Sequence, residues 1–145
     1  MRLTIKTKVG APLQRVKEGF NKDLFLQLSP PFPKVEIHFF EGSSEGDLVS
    51  LKLNFLLFKQ TWTSKIVSEQ LEDNFWEFID EGTELPFFLK SWQHRHQVKV
   101  INNQTFIVDA IDFNSGSLVG NLLLYPGMLL QFLYRKPIYK RIFAK

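Results

Sequence analysis

Apolar and polar residues alternate strictly at the start of the chain: Leu3, Ile5, Thr7 and Val9 interleave with Arg2, Thr4, Lys6 and Lys8. A period of two predicts a β-strand with one buried face. Gly10 breaks the pattern, and Pro12 sits where a first helical turn tolerates a missing N–H, with Leu13, Val16 and Phe20 following at helical spacing. Asn21 is a good N-cap for a second short helix carrying Leu24, Phe25 and Leu28, which the run Ser29-Pro30-Pro31-Phe32-Pro33 must end. From Lys34 to Phe113 the pattern returns to strands: Val35/Ile37/Phe39, Leu48 to Phe55, Gln60 to Ser68, Asn74 to Asp80, Phe88 to Val100 and Thr105 to Phe113. Turn-forming residues at 41–46 and at 81–86 separate them, and Asn102-Asn103 predicts a tight hairpin because asparagine tolerates positive φ. After Asn114-Ser115-Gly116-Ser117 the period becomes helical, with Leu118, Leu122, Tyr125, Leu129, Phe132 and Leu133 on one stripe and Pro126 expected to kink or restart the helix.

The order strand, two short helices, about six antiparallel strands and a long terminal helix has few solutions. A lone sheet has one apolar face to cover, and the only long helix must lie across it. The expectation is an α+β fold: a curved antiparallel sheet of about seven strands wrapped around the C-terminal helix, as a single domain over residues 1–145.

Composition narrows the function. There is no cysteine, which excludes a disulfide framework, a thiolate metal site and a cysteine nucleophile. Fifteen phenylalanines against two methionines mean that rigid rings line the interior, and rigid rings leave gaps more readily than methionine does. The N-terminus lacks the apolar run of a secretory signal, and the most apolar stretch, Leu118 to Leu133, is interrupted by Pro126 and too short to span a bilayer. A cytoplasmic protein without stable membrane insertion is expected. The formal charge of +3 is mild; its most basic segment interleaves Arg135, Lys136, Lys140, Arg141 and Lys145 with apolar residues, which fits either a solvated helix face or a helix lying on a membrane or partner. No phosphate loop, His-Glu-x-x-His or Gly-x-Ser-x-Gly word is present, so no cofactor is expected, and nothing suggests reading of nucleic acid. The carboxylate groups Glu69/Glu72/Asp73 and Asp80/Glu81/Glu84 fall in predicted turns and read as solvated. His38 reads as exposed.

Candidate chemistry concentrates on one strand. Trp92, His94 and His96 occur at i, i+2 and i+4 and so project from one face. If Asn102-Asn103 is a two-residue hairpin, His96 lies opposite Asp109, His94 opposite Ile111 and Trp92 opposite Phe113. That face also carries Val98, Ile107 and Ile111, whereas its reverse holds Gln93, Arg95, Gln97 and Lys99, so the histidines should look inward. A buried Asp109 needs a partner, which His96 supplies. The cluster can be a satisfied polar group that fixes strand register, a set of polar anchors in an apolar cavity, an acid/base pair, or, with only three ligands, a metal site. Trp62, Trp76 and Phe78 on the middle strands are either core residues or further cavity walls. Lys90 and Arg95 are either solvated or placed to meet a carboxylated ligand at the rim.

Several words now align: Ala11-Pro12-Leu13, Leu28-Ser29-Pro30-Pro31, Phe78-Ile79-Asp80 leading to Pro86-Phe87-Phe88, Trp92-Gln93-His94-Arg95-His96, Thr105 and Asp109 on the next strand, and Phe132-Leu133-Tyr134-Arg135. In this order they resemble the START-like (SRPBCC) superfamily of ligand-binding and polyketide cyclase-type proteins, over nearly the whole chain. The resemblance implies a helix-grip fold with a hydrophobic cavity between sheet and helix. It implies a small hydrophobic molecule as partner, and the residue pattern above places that molecule near Trp92, His94, His96, Asp109, Trp62, Trp76 and Phe78. Two alternatives stand beside a carrier: a cyclase or dehydratase using His96 with Asp109, and a membrane- or partner-binding protein using the basic terminal helix. The sequence does not speak to oligomeric state.

Overall fold

The computed structural model describes residues 1–145. The alternating N-terminus forms β1 (Arg2–Val9), and the two short helices follow as α1 (Leu13–Gly19) and α2 (Lys22–Gln27), the latter capped by Asn21, whose side chain accepts from the Leu24 N–H at 3.0 Å. Six further strands are β2 (Lys34–Phe40), β3 (Leu48–Asn54), β4 (Lys59–Glu72), β5 (Phe75–Glu84), β6 (Ser91–Ile101) and β7 (Gln104–Asn114), and α3 (Leu118–Ile142) closes the chain. The strands form one antiparallel sheet in the order β1-β7-β6-β5-β4-β3-β2. Register shifts in the β2–β3 and β4–β5 pairs mark bulges, which bend strands and increase sheet twist. The sheet curls into a half-barrel around α3, the arrangement expected from the sequence.

The β6–β7 hairpin turns at Asn102 and Asn103, both with positive φ (52° and 61°), and this register places His96 against Asp109, as the sequence predicts. One turn is displaced. β5 continues through Glu84, pairing Asp80 with Ile66 and His94, and Glu84 with Thr63, so the loop falls at 85–90. Pairing with β4, which continues past the end of the β6 ladder at Glu81, outweighs the turn propensity of Gly82 and Thr83.

α3 runs unbroken through Pro126 and Pro137, so Pro126 does not restart the helix. Each proline removes one backbone hydrogen bond, to the carbonyl four residues earlier. Pro126 and Pro137, like Leu122 and Leu133, lie on the exposed side, where water can satisfy the released carbonyls. The helix end is anchored by Gly10 and Ala11 N–H groups donating to the Phe143 carbonyl at 2.9 and 3.0 Å. Two apolar clusters result. One joins Val16, Leu24, Trp76, Val98, Tyr139 and Phe143; the other joins Leu3, Trp92, Ile111, Phe113, Met128 and Phe132. Between them lies the polar row of β6. No helix is long and apolar enough to cross a membrane.

Candidate functional site

Three neighbouring strands build the site. β6 points Trp92, His94 and His96 inward, β7 points Asp109 inward beside them, and β5 adds Asp80 opposite His94. The Trp92 indole N–H donates to Asp80 Oδ1 at 3.0 Å. His94 bridges two carboxylates, with Nδ1 3.2 Å from Asp80 Oδ2 and Nε2 2.8 Å from Asp109 Oδ1. His96 Nδ1 lies 3.0 Å from the same Asp109 oxygen. The result is one continuous chain: Trp92, Asp80, His94, Asp109, His96.

Charge follows from this geometry. Burial opposes a charge on His94, but hydrogen bonds to Asp109 and Asp80 and the attraction of both carboxylates outweigh it, and its pKa is raised to about 9. His94 is therefore an imidazolium at neutral pH. Burial dominates at His96, and the nearby positive charges of His94 and Arg135 add to it, so its pKa is lowered despite Asp109. Neutral His96 carries its proton on Nδ1, facing Asp109, which leaves Nε2 as an acceptor. Burial alone would raise the Asp109 pKa, but donors from both histidines and the charge of His94 hold it far below the ordinary carboxylate range. Burial and the Asp109 charge push the Tyr139 hydroxyl well above its usual value.

A cavity of about 880 Å³ opens in front of this row, bounded by β2 to β6, α2, the proline bend and α3. Trp62, Phe78, Trp92, His94 and His96 line it; Trp62 packs edge-on against Trp92 with ring centroids 4.8 Å apart. Phe132 stacks on Trp92 from the helix side at 6.1 Å. Two expected site residues stand elsewhere. Trp76, one step along β5 at the level of Val98, is packed against Phe20 and Phe78 and donates to Glu69, behind the cavity. Asp109 is 1% exposed and sits behind the histidines, so it acts through them. Lys90 is exposed and Arg95 pairs with Glu77 on the outer face at 3.5 Å, away from the cavity lining. His38 is exposed, as expected.

Two charged cavity residues, Asp80 and Arg135, are not apparent from the sequence. Asp80, which its neighbours Glu81 and Glu84 mark as a solvated carboxylate, alternates with Trp76 and Phe78 on β5 and faces inward. Arg135 belongs by its basic neighbours to a solvated helix face, yet its side chain lines the cavity, with the guanidinium 4.3 Å over the Phe132 ring. The signal was present: Met128, Phe132, Arg135 and Tyr139 recur at four-, three- and four-residue steps, which is one helical stripe.

Arg135 has no carboxylate partner, and it is the one lysine or arginine of the cavity wall. The buried polar atoms left without hydrogen-bond partners are Arg135 Nε, His96 Nε2, Tyr139 Oη and Thr7 Oγ1. Arg135, His96 and Tyr139 are neighbours, as their mutual charge effects show. His94, His96 and Asp109 also bring one ligand atom each to within 4.8 Å of one another, as a metal site would. Yet both His94 nitrogens face carboxylates at hydrogen-bond distance, so an ion would have to displace the proton that joins them. The donor set fits a proton-bridged cluster better than a metal centre.

No protein-family model and no curated protein matches the chain. Solved structures do. The Zhui aromatase/cyclase from Streptomyces sp. R1128 is 19% identical, with a TM-score of 0.65 over 94% of this chain and 89% of that one. A protein from Chromobacterium violaceum is 10% identical, with a TM-score of 0.64 over 97% and 98%. A point mutant of norcoclaurine synthase from Thalictrum flavum, in complex with a transition-state analogue, is 14% identical, with a TM-score of 0.61 over 92% and 89%. The chain therefore shares the fold of these proteins, a curled antiparallel sheet gripping a long terminal helix.

Proposed function

We propose that the protein binds a small hydrophobic molecule between its sheet and α3, holding the molecule's polar end between Arg135 and His96. The observation that carries this reading is two buried nitrogens without partners, Arg135 Nε and His96 Nε2, on residues that line an apolar cavity of about 880 Å³. Buried polar atoms ordinarily have partners, and such sites typically combine apolar walls with a few convergent polar groups. Arg135 suits an anionic or carbonyl oxygen, and His96 Nε2 suits a hydroxyl. A ligand hiding about 300 Å² of apolar surface gains roughly 7 kcal/mol, enough for micromolar binding once ordering losses are met by one or two hydrogen bonds.

Gly127 offers the test. It borders the cavity, and a Cβ built there meets nothing within 4 Å. Gly127→Phe places a ring at the entrance while removing a helix-interior glycine, so the fold should hold or gain up to about 1 kcal/mol. Titration with the fluorescent apolar anion 1-anilinonaphthalene-8-sulfonate should show saturable binding to the native chain and at least about a tenfold loss in Gly127→Phe. Equal binding by both would argue against the cavity as the site. Arg135→Gln should weaken this sulfonate by about tenfold, the worth of one charge-assisted hydrogen bond, and leave the uncharged analogue N-phenyl-1-naphthylamine within about twofold. An equal effect on both probes would remove Arg135 as the anion contact.

A second reading rests on the His96–Asp109 pair. A neutral imidazole oriented through Nδ1 by a buried carboxylate, with Nε2 free, is the arrangement of a general base. Turnover of a cavity-bound hydroxy-carbonyl compound, lost in His96→Gln with binding retained, would mark a cyclase or dehydratase; binding without turnover marks a carrier.

A further inference from the structure

At one end of the sheet, three connections carry large apolar side chains into solvent. Leu56 and Leu57 in the β3–β4 loop are 84% and 95% exposed, Phe87 in the β5–β6 loop is 74% exposed, and Leu118, Val119 and Leu123 at the start of α3 are all more than two-thirds exposed. The connections are fastened to one another. The Phe87 N–H donates to Gln60 at 3.0 Å, the Phe58 and Phe87 rings lie 5.6 Å apart, and the Lys90 N–H donates to the Asn114 carbonyl at 2.8 Å. Leu56 also holds positive φ (75°), a conformation leucine rarely adopts, fixed by its N–H donating to Asn54 Oδ1 at 2.9 Å. Backbone strain held at Leu56 in an exposed apolar loop is the mark of a contact surface for something apolar.

Charge identifies the partner. Segments 54–59, 85–90 and 114–124 contain no aspartate or glutamate, and their only charged residues are two exposed lysines, Lys59 and Lys90, flanking the apolar tips. Apolar tips flanked by lysines match an anionic lipid surface, where tails accept the former and headgroups the latter. The position agrees: Phe55, Phe88 and Leu124, next to the exposed residues in the chain, line the cavity. We infer that the protein docks this end, through Leu56, Leu57, Phe87 and the first turns of α3, onto an anionic membrane surface, from which an apolar cargo can pass into the cavity without crossing water.

Cosedimentation with phosphatidylcholine vesicles, with and without phosphatidylserine, tests this. The native chain should sediment with vesicles, more strongly with phosphatidylserine and less so at high salt. Leu57→Glu with Phe87→Glu should reduce the bound fraction at least about tenfold. Lys59→Gln with Lys90→Gln should remove the phosphatidylserine preference, each lysine being worth about fivefold. Leu71→Glu, at an exposed leucine near the opposite end of the sheet, should bind as the native chain does. Gly127→Phe should also still sediment, because docking does not need an open cavity, so this inference and the ligand reading fail separately. A native chain that stays in the supernatant with both vesicles, or a Leu57→Glu/Phe87→Glu chain that sediments undiminished, would overturn it. So would a native dimer in sedimentation velocity that this double variant converts to monomer without any vesicle binding, which would assign the patch to a second copy.

Discussion

Asp109→Asn is expected to lower the unfolding free energy by about 3–5 kcal/mol at neutral pH, as read by urea denaturation. One carboxylate oxygen accepts from both histidines, and the group is 1% exposed. An amide of the same shape keeps an acceptor but loses the charge that balances His94, and it adds an N–H₂ with no obvious acceptor. A loss below about 1 kcal/mol would mean that the His94–Asp109–His96 chain is peripheral to the core. Replacing an exposed carboxylate such as Asp112, which pairs with Arg2 at the surface, should change stability by less than about 1 kcal/mol.

Stability should also fall by about 3 kcal/mol as pH rises from 6.5 to above 9. The cause is His94, whose pKa is raised from 6.5 to about 9 by Asp80 and Asp109 against the opposing effect of burial. A raised pKa means that the folded state holds the proton more tightly. The contribution is therefore complete below pH 6.5 and disappears as pH climbs through 9. His96 is lowered, so its effect has the opposite sign and is complete above pH 6.5; Asp109 loses its contribution only under acid conditions. Neither enters the window. His94→Gln should flatten the decline in a series of urea titrations between pH 6.5 and 9.5. A native chain with equal stability at both ends would show that His94 is not held as an imidazolium.

Much of this site was legible because it depends on strand period and a two-residue turn. Once Asn102-Asn103 was read as the hairpin, the facing of Trp92, His94 and His96 and the pairing of His96 with Asp109 followed from arithmetic. The sequence did not show that His94, two residues nearer the strand start, also reaches Asp109 and takes the charge. That contact depends on side-chain reach across a diagonal of the sheet, which register alone does not set. Asp80 is masked by composition: beside Glu81 and Glu84 it looks like a solvated carboxylate, although strand alternation puts it on the face of Trp76 and Phe78. Arg135 was lost because its neighbours Lys136, Lys140 and Arg141 suggested a solvated face, although its spacing from Phe132 and Tyr139 put it on the inner stripe. The unbroken α3 shows the same limit for proline, whose cost depends on whether the freed carbonyl meets water.

Native mass spectrometry of the chain purified from cells that make it, beside Gly127→Phe purified in the same way, tests the cavity most directly. The native chain should carry a small molecule that dissociates on activation, and the variant should carry none. A bare native chain, or the same molecule retained on both, would contradict ligand binding between the sheet and α3.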